Sequence, residues 1–184
     1  MFIQTEATPN PLTLKFLPGR VVLETGTVFY TSAESAGESP LAVALFAVDG
    51  VNAVFLSGDF ISVTKRDDAD WQVLKPLLLT TIMDHLTAEK PVMAKKQTKP
   101  VASSGADDDE LSAQIRELID TRVRPAVAQD GGDIIFKGFE DGIVKLELHG
   151  ACQGCPSSSA TLKQGIENML KHYVPEVIAV EAVS

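Results

Sequence analysis

Apolar and polar residues recur in two rhythms along these 184 residues, and where each rhythm starts and stops predicts the elements. In the first half, Leu12, Leu14 and Phe16 alternate with Thr13 and Lys15, which predicts a strand with one buried face. Residues 21–23 and 28–30 are two further short strand candidates. Ser39-Pro40 opens a helix in which Leu41, Ala44, Leu45 and Val48 recur at helical spacing, and Gly50 stops it. Residues 51–56 and 60–64, joined through Ser57-Gly58-Asp59, predict a hairpin. A second helix carries Trp71, Leu74, Leu78, Ile82 and His85 along one stripe; Pro76 either kinks it or stands near its start.

The second half reads more cleanly. Asp107 to Glu110 supply acids for a helix N-terminus, where the helix dipole favours them. Leu111, Ile115, Leu118 and Ile119 then form an apolar stripe, with Arg122 at its rim. Pro125 kinks or restarts this helix, and Gly131-Gly132 ends it as a cap followed by a tight turn. Residues 134–139 and 143–149 predict a hairpin across Glu140-Asp141-Gly142. On its second strand Val144, Leu146 and Leu148 face the core, which turns Lys145, Glu147 and His149 outward. A last helix carries Leu162, Ile166, Met169, Leu170 and Tyr173 on one face; Pro175 stops it, and residues 177–183 form a final strand. The order is α-β-β-α-β.

Between these halves the rhythm vanishes. Residues 91–106, PVMAKKQTKPVASSGA, hold three lysines, no acid and no aromatic residue, and read as a solvated linker. The expected class is therefore α+β: a first domain at 1–90, the linker, and a second domain at 107–184. Composition changes little in this picture except on charge. The net charge is −9, and the excess of acid belongs to both folded halves, so nucleic acid is excluded as the main partner. No uncharged apolar stretch approaches the roughly 18 residues of a membrane helix. The start, MFIQTEATPNP, resembles neither a secretory signal nor an Arg-rich transit peptide. A bacterial cytoplasmic chain is expected, with a mature organellar matrix form as the alternative.

Candidate chemistry is concentrated in HGACQGCPSSS, residues 149–159, where a strand ends and a helix begins. Cys152 and Cys155 are the chain's two cysteines, and two intervening residues let both sulfurs converge on one metal or on each other. The amides and dipole at the start of the following helix favour thiolates, which metal binding and redox exchange both need. Gly150 and Gly154 let the backbone approach a bulky bound group, and Pro156 suits the first helical turn. A thioredoxin-type redox pair, a zinc half-site and an iron–sulfur half-site all share this motif. Zinc and iron–sulfur sites take four protein ligands as a rule, so two chains would have to complete one site. His149 is a lesser candidate for a third local ligand, more readily explained as an exposed strand end. His85, His172, Trp71 and the linker lysines are assigned no chemistry, and no paired carboxylates, Ser/His/Asp set or phosphate loop is present.

Asp130-Gly131-Gly132-Asp133, a hairpin, and GACQGCPSSSATLKQGIE resemble the C-terminal domain of NifU, the Nfu-type iron–sulfur module. TPNPLTLKFLPG at 8–19, SPLAVALFAVDGV at 39–51 and the DFISVTK and DW elements at 59–71 resemble the Nfu N-terminal domain. The likeness covers the chain except the linker. It implies a non-enzymatic scaffold or carrier that holds a [4Fe–4S] or [2Fe–2S] cluster between two subunits, with Cys152 and Cys155 as ligands. It further implies a cluster-bound homodimer, upstream cluster-assembly proteins as donors and apo iron–sulfur proteins as recipients. The alternatives are a thiol–disulfide oxidoreductase and a zinc-bridged structural dimer.

Overall fold

A computed structural model describes residues 2–94, 110–153 and 156–183, without the side chains of 156–159. The chain is mixed α and β and divides into two compact units, Met1–Pro100 and Val101–Ser184. Residues 95–106 of the expected linker, the acids Asp107 to Asp109, Gly154 and Cys155 lie outside the described residues.

The first unit is an antiparallel sheet of β1 (Gln4–Ala7), β2 (Thr13–Leu17), β3 (Val28–Tyr30), β4 (Val51–Leu56) and β5 (Ile61–Lys65), in the order β1-β2-β5-β4-β3. Two helices accompany it, α1 (Pro40–Phe46) and α2 (Trp71–Thr87). Ser39 starts α1 by accepting a hydrogen bond from the Ala42 amide at 3.1 Å, and Asp70 starts α2 by accepting one from Gln72 at 2.8 Å. Leu41, Leu45, Leu74, Leu78 and Ile82 are buried and pack with Phe16, Val54, Ile61 and Val63 into one core. Pro76 stands inside α2, which continues through it although the Gln72 carbonyl loses its usual amide partner.

Three details differ from the expected pattern. Residues 21–23 form no strand, although Val22 and Leu23 are buried; their amides bond instead to the Gly58 carbonyl. Strand β1 is mostly exposed, so it lacks an apolar period that could announce it. Thr13 and Lys15 are buried rather than outward-facing: the Thr13 hydroxyl bonds Thr64 at 2.8 Å, and the Lys15 ammonium sits 4.5 Å from the Phe60 ring centre. The unit also extends past residue 90. Ser39 Oγ donates to the Val92 carbonyl at 2.7 Å, and the Ala94 amide donates to Glu38 at 2.7 Å.

The second unit begins with α3 (Glu110–Leu118), a π turn (Ile119–Val123) and α4 (Arg124–Gln129). Pro125 explains the π turn: without an N–H it cannot serve the Thr121 carbonyl, and the Arg124 amide reaches back to Ile119. The added residue keeps Ile115, Ile119, Val123 and Val127 all buried. Strands β6 (Gly132–Glu140) and β7 (Ile143–Gly150) pair antiparallel around Asp141-Gly142, both at positive φ as a tight hairpin turn requires. Helix α5 (Pro156–Tyr173) then carries the chain to β8 (Ala179–Val183), which lies parallel to β7. Ile134, Val144, Leu146, Ile166, Leu170 and Val180 close the core. Among the described residues no helix is long and apolar enough to cross a membrane.

Candidate functional site

The expected cysteine loop leaves the end of β7 and enters α5 at Pro156, one residue beyond Cys155. Cys152 is 6% exposed and joins the apolar core of the second unit. Gly150 has φ +68°, the left-handed turn that lets the chain leave the strand abruptly. Beyond it, the Ala151 amide bonds the Gly131 carbonyl at 3.2 Å and the Gln153 amide bonds the Gly150 carbonyl at 3.1 Å. The loop therefore rests on the turn between α4 and β6.

That contact is close. A methyl group at Gly132 would stand 2.8 Å from Cys152 Sγ and 2.6 Å from the His149 carbonyl oxygen. The expectation that Gly131-Gly132 merely caps a helix holds for Gly131, which has φ +82°. It is incomplete for Gly132, whose bare Cα is the surface against which Cys152 lies.

Asp133 follows at once, 3% exposed, and accepts from Arg124 Nε and Nη2 at 2.9 Å each. Its Oδ1 also accepts from the Ile134 amide at 2.8 Å. Arg124 is anchored in turn by Asp120 at 3.2 Å. The hydrogen bond to Asp133 raises the Arg124 pKa above its ordinary value, against the lowering effect of burial. The nearly enclosed carboxylate thus meets a two-pronged guanidinium, which fixes it in position and in angle. Sequence reading placed Asp133 in a motif but gave its side chain no task. The signal available was an acid and an arginine flanking a double glycine, which only the fold brings together.

His149 is pulled elsewhere. Its Nε2 lies 2.9 Å from Glu147 Oε1, and Glu147 also pairs with Lys137. Burial works to raise the Glu147 pKa, but the hydrogen bonds from Lys137 and His149 outweigh it and hold the carboxyl below the usual range. Among the described residues no three His, Cys, Asp or Glu side chains gather as a metal cage. In the first unit His85 is buried, with Nε2 3.1 Å from the Pro91 carbonyl, and Trp71 donates to the Pro11 carbonyl at 3.0 Å. Both serve packing, and the identifiable chemistry remains on the second unit's thiol loop.

Comparison with known proteins places both units. The family described as "Scaffold protein Nfu/NifU N terminal" matches residues 3–89, and the "NifU-like domain" matches residues 115–181. The human protein named NFU1 iron-sulfur cluster scaffold homolog, mitochondrial, is 53% identical over all of this chain and 72% of its own length. NifU-like protein 5, mitochondrial, of Arabidopsis thaliana is 51% identical over 98% of this chain and 67% of its own length. The chain belongs to the Nfu/NifU scaffold family. One expectation is overturned by these relatives: they are mitochondrial proteins, so a bacterial cytoplasmic location does not stand.

Proposed function

We propose that this protein is an organellar iron–sulfur scaffold and carrier that holds a [4Fe–4S] cluster between two subunits through Cys152 and Cys155 and delivers it to apo-proteins. The observation that carries the reading is Cys152 seated on Gly132 just after β7, with the second cysteine of the chain following three positions later in the sequence. Relatives named as iron–sulfur cluster scaffolds support it.

Four thiolates complete a cluster, so each of two chains supplies two. Cys152 is nearly enclosed in the single chain, with its sulfur against Gly132. The helix N-terminus beginning at Pro156 stabilises the negative charge of the thiolate-bound cargo. Delivery is ligand exchange: a client thiolate bonds to an iron as a carrier thiolate leaves and takes up a proton. The cluster keeps its oxidation level, and no substrate is turned over. A cargo held by two short loops on two chains has few contacts to lose, which favours transfer.

Anaerobic reconstitution of the full chain with iron and sulfide tests this. The expected product is brown and dimeric, with about one [4Fe–4S] cluster per two chains, as four-thiolate coordination demands. Cys152→Ala and Cys155→Ala should each abolish both colour and cluster-dependent dimer. A colourless wild-type protein, or a stable cluster in a monomer, would overturn the proposal.

A further inference from the structure

We infer that Arg124, Asp133 and Gly132 act together as a positioning device for Cys152, a clamp and a seat that set where this thiol stands. The inference rests on the reading of Cys152 as a cluster ligand.

The geometry runs in one line. Arg124 grips both oxygens of Asp133 at 2.9 Å, so the carboxylate is fixed in position and in angle. Asp133 stands opposite His149 in the β6–β7 ladder, and Gly132 stands opposite Gly150, the last paired residue before the loop. Gly131 and Gly132 then meet the loop itself, through the Ala151 amide and through the Cys152 sulfur. One residue, Ala151, separates Gly150 from Cys152, so a shift of the α4–β6 turn reaches Sγ with little chain to absorb it.

Stability alone does not account for the arrangement. An enclosed ion pair is a weak source of stability, and apolar residues of similar volume serve as well or better at holding two elements together. What the two-pronged pair supplies, and apolar packing does not, is a defined direction. A ligand whose neighbours are fixed in direction holds a metal more tightly, and removing such a supporting partner costs on the order of 10–100-fold in affinity.

The test uses the full chain in two states. In the metal-free protein, the alkylation rates of Cys152 and Cys155 are measured separately by peptide mass spectrometry. In the reconstituted protein, the rate of cluster loss to an iron chelator is followed by absorbance. Arg124→Lys keeps the charge and loses the two-pronged grip; Gly132→Ala leaves both ion-pair side chains in the sequence and crowds the sulfur and the His149 carbonyl. Both should speed cluster loss about 10-fold and raise alkylation of Cys152 relative to Cys155.

A merely structural clamp would lower the melting temperature while leaving the alkylation ratio and cluster lifetime of the folded protein at wild-type values. That result would overturn the inference. Should Arg124→Lys fail to fold, Asp133→Asn, which keeps the shape of the side chain and loses its charge, decides the matter by the same two readouts. Should wild type take up no cluster, the proposed function falls, and the alkylation ratio still judges the positioning.

Discussion

The two units use their enclosed polar groups for different ends. In the first, the Ser39 hydroxyl ties α1 to Val92, His85 meets the Pro91 carbonyl, and Thr13 bonds Thr64 across β2 and β5. These contacts tie a side chain to a neighbouring segment one at a time and do not join into one chain. In the second, Asp120, Arg124 and Asp133 form one chain of contacts that ends beneath the thiol loop. Among the described residues, the polar contacts of the larger sheet stay local, while those of the smaller sheet run toward the proposed site at Cys152. Their prolines show the same division: Pro76 leaves α2 continuous, whereas Pro125 goes with a π turn that places Arg124 within reach of Asp133.

Emptying one core separates the two units most strongly. Phe16 is fully buried in the first unit, and Phe16→Ala should destabilise that unit by about 3–5 kcal/mol. Differential scanning calorimetry should then show its transition shifted, while cluster content per chain stays at the wild-type level. A matching loss of cluster would mean that the first unit also builds the site.

Next in size is the ion pair. Asp133→Ala leaves Arg124 without its main partner, and should lower the stability of the second unit by roughly 2–3 kcal/mol. That is below the 3–5 kcal/mol typical of a fully buried pair, because Arg124 is 38% exposed. Chemical denaturation with a second-unit probe measures it.

Smaller still is Ser39→Ala, which removes a helix cap and the bond to Val92; about 1 kcal/mol is expected, confined to the first unit. The mildest effect concerns acid. Glu147 is held below the usual carboxylate range, so its contribution is fully present above the unfolded value of about 4.3 and is lost as pH falls through the lower folded value. Lys137→Met should flatten that loss in the second unit's melting temperature and leave the first unit's unchanged.

Much of the fold was legible because the core stripes are regular. The stripe on α2 and the β6–β7 hairpin with its Asp141-Gly142 turn follow the expected periods. What was not legible depended on neighbours. Strand β1 has an exposed face with nothing to mark it, and residues 21–23 look like a strand but give their amides to Gly58. The cysteine motif stood out in the sequence, since its chemistry is local. Its seat did not, because Gly132 and Cys152 lie twenty residues apart and meet only once β6 and β7 pair. Nor could the sequence foresee that Cys152 would lie inward in the core.

A cluster held on the proposed thiol loop has to leave it for a recipient. The direct measurement is anaerobic transfer from the reconstituted protein to an apo-[4Fe–4S] enzyme, followed by Mössbauer spectroscopy and recipient activity. The expected result is that the cluster passes to the recipient and activates it, and that the Cys152→Ala and Cys155→Ala proteins deliver nothing. Recipient activation unchanged by these substitutions, or a cluster that stays on the carrier with excess apo-enzyme present, would contradict it.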